Sequence, residues 1–121
     1  MPRLDVYVDF KRFISLKLTE HGVRVGRSGE CDIQLPSEKV SRHHTTIART
    51  PDGAFYIEDR STNGTRVNAE MIHGTKVLAP GDRIYIDTYI LVYQSDEAPP
   101  ETIDDDQTTF VSTSGEVSLS Q

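Results

Sequence analysis

The 121 residues carry 26% charged and 36% hydrophobic side chains and a net charge of −6. That composition is ordinary for a globular domain and excludes a chain too polar to collapse. No apolar run approaches the ~18 residues of a membrane helix, and one cysteine, Cys31, excludes an internal disulfide framework and fits a reducing cytoplasm.

The charge is unevenly placed. Seven of the 19 acids (Asp96, Glu97, Glu101, Asp104, Asp105, Asp106 and Glu116) lie in 95–121, which holds no Lys or Arg; 12 acids and 13 bases remain in 1–94. A near-neutral body gives no general case for nucleic-acid binding, which needs a basic face. It leaves room for a small local basic site. The charged N-terminus, Met1-Pro2-Arg3-Leu4-Asp5, lacks the apolar stretch of a signal peptide, so a cytoplasmic location and no membrane partner are expected.

In chain order, the body reads as strands. Leu4–Val8, Phe13–Leu18, Val23–Val25, Phe55–Ile57 and Arg83–Asp87 alternate, and His44–Ala48 and Phe55–Glu58 read as strands. Tyr89–Tyr93 is almost continuously apolar. Turn signals separate them: His21-Gly22, Ser28-Gly29, Pro51-Asp52-Gly53, Asn63-Gly64, His73-Gly74 and Pro80-Gly81-Asp82. Turns every ~8–12 residues predict an all-β sandwich or barrel. After Gln94 the sequence turns Pro-, Ser-, Thr- and Asp-rich, with too little apolar surface to offset its ordering entropy. The expected organisation is a domain at 1–94 and a flexible acidic tail at 95–121.

Three segments at strand–turn junctions carry the chemistry: Gly26-Arg27-Ser28, Val40-Ser41-Arg42-His43-His44, and Asp59-Arg60-Ser61-Thr62-Asn63-Gly64-Thr65-Arg66-Val67-Asn68. Loops on a rigid β scaffold are the usual seat of binding residues. A phosphate group needs guanidinium forks, neutral hydroxyl donors and exposed N–H groups. Arg27 and Arg42 can supply forks, Ser41 and Thr62 hydroxyls, and Asn63 both an amide donor and an acceptor for a peptide backbone. No acid lies within 26–28, 41–44 or 61–65 to repel a dianion. Taken singly, each feature has a plainer reading. Arg27 alone would be a solvated surface arginine, and Asn63-Gly64 alone a hairpin turn.

These motifs together, G-R, S-R-H-H, S-T-N-G-T-R-V-N and then P-G-D-R-I, resemble the forkhead-associated family over roughly Val23 to Tyr93. The resemblance implies a β-sandwich of about eleven strands that binds phosphothreonine peptides through loops at one end. It implies Arg27, Ser41, Arg42, Thr62 and Asn63 as ligand residues. Gly26 and His44 would shape the loops, with Gly64 and Asn68 as further scaffold positions. Asp87 stands where many members have glycine, and Ala69 where glycine often follows Asn68; both departures bear on turn geometry.

The expected partner is a phosphothreonine-bearing protein, a Ser/Thr kinase or one of its substrates. The competing reading is an interaction module of the same fold with no phosphate dependence. Enzymatic function is not expected: Ser41 with His44 has neither an oriented third group nor a nucleophile-elbow motif. Cys31, His21, His43, His44 and His73 match no zinc spacing, and no cofactor is expected. The tail adds Thr102, Thr108 and Thr109 as candidate phosphorylation sites. Thr102 has Asp105 three residues on and Thr108 has Val111. The resembled family often reads an acidic or aliphatic residue at that third position. The resemblance therefore implies a phosphorylated tail as a candidate ligand for its own domain, beside the plainer reading of a solvated tail.

Overall fold

The computed structural model describes residues 2–9, 11–95 and 97–100. The tail threonines Thr102, Thr108 and Thr109 lie outside the described residues. Eleven strands follow one another: β1 Arg3–Val8, β2 Lys11–Lys17, β3 Val23–Gly26, β4 Ile33–Gln34, β5 Thr45–Arg49, β6 Phe55–Asp59, β7 Arg66–Val67, β8 Glu70–Met71, β9 Thr75–Val77, β10 Arg83–Ile86 and β11 Tyr89–Gln94. Among the described residues there is no helix.

The strands form a six-stranded sheet, β2-β1-β11-β10-β7-β8, and a five-stranded sheet, β4-β3-β5-β6-β9. The described pairings are antiparallel except the short parallel contact of β3 with β4, where Val25 faces Ile33. Of the sandwich or barrel that the turn spacing predicts, the two sheets make the sandwich, as the family resemblance implies.

Alternation sets which face each sheet buries. Leu4, Val6, Val67, Ile84, Ile86 and Leu91 of the first sheet meet Val23, Val25, Ile33, Ile47, Phe55 and Ile57 of the second in one core. The Phe55 and Tyr93 rings pack tilted at 6.2 Å between centroids. Each fully buried Leu or Ile in such a core contributes about 1.5–3 kcal/mol.

The other face of the six-stranded sheet holds a buried ion pair. Asp5 is fully buried and accepts hydrogen bonds from Arg3 Nε (3.0 Å), Arg3 Nη2 (3.0 Å) and Ser15 Oγ (2.7 Å). Burial alone would raise the carboxyl's pKa. The bonds from Arg3 and Ser15 and the charges of Arg3 and Arg12 outweigh it and hold the group below its ordinary value. Arg3 Nη1 also donates to the Ser95 carbonyl at 2.8 Å, fixing the chain as it leaves β11.

Candidate functional site

The three motif segments meet at one end of the sandwich because backbone hydrogen bonds knit the β3–β4, β4–β5 and β6–β7 loops together. Arg27 N–H donates to the Ser41 carbonyl (2.9 Å), Ser28 N–H to that of Arg42 (3.2 Å), and His44 N–H to that of Val25 (2.9 Å). This contact runs backbone against backbone at Gly26. A Cβ there would collide with the Arg42 carbonyl and stand 3.0 Å from the His44 nitrogen, so only glycine fits.

Each candidate side chain is braced while leaving polar atoms outward. Arg27 Nε donates to the Val40 carbonyl at 3.1 Å, which aims its guanidinium; its two terminal nitrogens have no partner among the described residues. Arg42 is exposed, with no side-chain partner among the described residues. Its carbonyl is held from below by Cys31 Sγ at 3.2 Å. Ser41 Oγ accepts the Thr62 N–H at 3.0 Å, so the hydroxyl proton stays available to an incoming acceptor. Asn63 Nδ2 donates to the Lys39 carbonyl at 2.8 Å, leaving its amide oxygen and second N–H unused.

The β6–β7 turn is shaped by Asp59, whose Oδ1 accepts bonds from Ser61 N–H (3.1 Å), Ser61 Oγ (2.6 Å) and Thr65 Oγ1 (2.8 Å). Ser61 Oγ in turn accepts the Gly64 N–H at 2.9 Å. Gly64 has φ 96°, a conformation that disfavours any Cβ. Asn68 holds φ 55° in the two-residue β7–β8 turn; its side chain accepts Arg83 N–H (3.0 Å) and donates to Asp82 (3.0 Å). Asp87 adopts φ 54° without glycine's freedom, a conformation aspartate tolerates better than most residues. Its Oδ2 accepts the Ser37 hydroxyl at 2.7 Å. Ala69 is not among the residues with positive φ, so the departures noted at 69 and 87 are both accommodated.

His44 joins two of the loops. It is 1% exposed, accepts Ser41 N–H at Nδ1 (3.0 Å) and reaches the Gly64 carbonyl from Nε2 (3.1 Å). Both contacts are satisfied only by the neutral ring protonated on Nε2. Burial, opposed by the Gly64 contact and the charge of Asp59, lowers its pKa below the ordinary value. The unfolded chain therefore binds the proton more readily. The stability His44 contributes is complete above about pH 6.5 and declines as pH falls below it. Melting curves should show the domain weakening from pH 7.5 to 5.5. His44→Ala should cost about 1–3 kcal/mol at neutral pH, through a cavity and the loss of partners for the Ser41 N–H and the Gly64 carbonyl, and should flatten the pH dependence. An unchanged melting temperature in that variant would contradict this role.

The result is an open groove of about 340 Å³ walled by Arg27, Ser41, Arg42, Thr62 and Asn63, the full set of expected ligand residues, together with Glu38, Lys39 and Val40. Lys39 and Glu38 are additions. Three cations face one acid, so the groove is basic on balance, and its acid, Glu38, lies outside the acid-free stretches 26–28, 41–44 and 61–65. Sequence reasoning passed over the pair because they precede Ser41 by two and three residues, in a loop without periodicity. It also assigned no role to Asp59 or to Gln34, whose Nε2 donates to the Arg27 carbonyl at 3.2 Å; an Asp two residues before a Ser was the available signal for the first. His43 is exposed and Cys31 is buried, their side chains 4.0 Å apart. No cluster of three metal-ligating side chains exists among the described residues.

A family model described as FHA domain matches residues 23–87. The ABC transporter ATP-binding/permease protein Rv1747 of Mycobacterium tuberculosis is 38% identical over 77 residues, covering 64% of this chain and 9% of that protein. This chain thus spans a small fraction of the length of the curated relatives it matches. The crystal structure of the MEK1 FHA domain with a HOP1 phosphothreonine peptide superposes with TM-score 0.66 and 26% identity, over 78% of this chain and 97% of that one. The Mycobacterium tuberculosis EmbR structure in complex with a low-affinity phosphopeptide gives TM-score 0.68 and 30% identity, over 83% of this chain and 26% of that one.

Proposed function

Because the chain belongs to the forkhead-associated family, whose domains bind phosphothreonine peptides, we propose that it is a phosphothreonine-reading adaptor or regulatory module in Ser/Thr kinase signalling. The observation that carries the reading is the convergence of Arg27, Ser41, Arg42, Thr62 and Asn63 on one basic groove. The family is one of binding modules, and the groove offers positioning and charge rather than a nucleophile.

In this reading the dianion receives charge-assisted bonds from the free ends of Arg27 and Arg42, with Ser41 and Thr62 hydroxyls completing its shell. The spare amide atoms of Asn63 hold the peptide backbone. Residues 1–94 form the binding unit and 95–121 a tail. The partner is a phosphothreonine protein, either a Ser/Thr kinase or its substrate.

We further propose that a phosphorylated tail threonine, at Thr102, Thr108 or Thr109, can occupy the same groove. A ligand on the same chain meets its site at an effective concentration around millimolar, enough to close a micromolar site about a thousandfold and shut out other ligands.

One set of NMR spectra tests both statements. Adding a phosphothreonine peptide should move the amides of Arg27, Arg42, Thr62 and Asn63 most. Phosphorylating the tail should move the same amides without added peptide, and Thr102→Ala, Thr108→Ala and Thr109→Ala should identify the residue responsible. Peptide shifts centred elsewhere would remove the groove assignment. Loop shifts unmoved by tail phosphorylation would remove the self-ligand.

A further inference from the structure

A second depression lies beyond the phosphate groove, and it has the opposite charge. It holds about 280 Å³ and is walled by Tyr7, Asp9, Tyr85, Asp87, Thr88 and Ile90, at the β1–β2 and β10–β11 turns. Register brings its floor together: Tyr7 and Tyr85 both pair with Ile90, from opposite sides of β11. The walls hold the half-buried Tyr85 ring, the Tyr7 ring, which is only 3% exposed, two carboxylates and, among the described residues, no cation. Among the described residues Asp9 has no partner, and Asp87 engages Ser37 through Oδ2 with none at Oδ1. Arg66 stacks on the Tyr85 ring at 4.3 Å, and Arg12 pairs with Tyr7 across the strands, but neither walls the depression.

The two sites are joined. A middle depression of about 320 Å³ is walled by Lys39, His44, Asn63, Gly64 and Asp87. Lys39 and Asn63 also wall the phosphate groove, and Asp87 also walls the acid–aromatic pocket. The path therefore runs from Arg27, Arg42 and Lys39 at one end to Asp87 and Asp9 at the other. A ligand that follows it and matches its charge carries a phosphate at one end and a basic side chain at the other. Carboxylates beside the accessible Tyr85 ring suit a Lys or Arg head, which gains both ion pairing and contact with the aromatic surface.

Resting on the phosphopeptide reading above, we infer that the pocket of Tyr7, Asp9, Tyr85 and Asp87 is a second anchoring subsite. It takes a Lys or Arg side chain of the same phosphorylated partner and selects partners in which a basic residue is displaced along the chain from the phosphothreonine.

The test uses the full chain and a short phosphothreonine peptide, then extended versions in which one Lys is moved along either flank, each matched by a Gln twin. At one or two neighbouring positions the Lys peptide should bind about five- to tenfold tighter than its twin, the size expected of an exposed ion pair plus a cation–π contact. Asp9→Asn and Asp87→Asn, which keep a residue tolerant of positive φ, should each reduce that gain to less than about twofold. Asp9→Asn should leave binding of the short peptide as it was. Lys and Gln peptides that bind alike at every position, while the short peptide still binds, would overturn the subsite and spare the phosphate groove. A Lys gain that survives both variants would also overturn it, because the side chain then docks elsewhere. Failure of the short peptide itself would remove the phosphopeptide reading and this inference with it.

Discussion

Arg27→Ala is expected to weaken phosphothreonine-peptide binding by at least thirtyfold, ~2 kcal/mol, and up to a loss of ~5 kcal/mol, the range for removing one partner of a close charge pair. Against a micromolar affinity, worth roughly −8 kcal/mol, the upper end abolishes measurable binding. The reason lies in how the side chain is held. Its Nε is committed to the Val40 carbonyl, so the two terminal nitrogens project as a fixed fork with little left to order on binding. Arg27→Lys should recover little, because it keeps the charge and loses both the Nε brace and the fork. The fold should tolerate both changes, since the Arg27 side chain is exposed and lends one hydrogen bond to the loop. Calorimetric titration beside a thermal melt separates the effects. Affinity within twofold of the parent would remove Arg27 from the site.

Gly26→Ala should be the most damaging single methyl in the binding end. The added carbon cannot coexist with the Arg42 carbonyl, and the obstacle is backbone, which cannot rotate away. Separating β3 from the loop breaks the bonds from Arg27, Ser28 and His44 that align both arginines. Overpacking of this kind costs on the order of 3 kcal/mol. For a domain of this size that lowers the melting temperature by roughly 10–20 °C. Binding should fall as well, because Arg27 and Arg42 lose their relative placement. Gly29→Ala is the internal control: nothing lies within 4 Å of the position its Cβ would take, so stability should hold. A Gly26→Ala protein that melts with the parent would show that the close approach is not fixed.

The parts legible in the sequence are those with strong local signals. Val23–Val25, Phe55–Glu58 and Tyr89–Tyr93 were visible as strands because alternation or an apolar run persists over several residues, and each matches an observed strand to within a residue at either end. β4, β7, β8 and β9 were not individually visible. They are two or three residues long, too short for an alternation to repeat, and exist through pairing with Val25, Ile84, Arg66 and Ile57 respectively. Leu18 read as the end of β2 but lies just beyond it, buried in the core while its N–H bonds the Pro2 carbonyl. The same limit applies at the binding end. Arg27, Ser41, Arg42, Thr62 and Asn63 stood out because their residue types suit a phosphate. That they share one groove follows from bonds such as Thr62 N–H to Ser41 Oγ, across 21 positions of sequence. Lys39 and Glu38 were illegible because their part in the groove depends only on where the folded loop carries them.

Phosphate on threonine is what the groove is proposed to read. The most direct measurement is the affinity of the full chain for a phosphothreonine peptide against its unphosphorylated twin, by calorimetry at pH 7.5 and low salt. Micromolar binding of the first and no measurable binding of the second is the predicted result. Equal affinity for the two peptides would contradict it and leave an interaction module of the same fold that does not depend on phosphate.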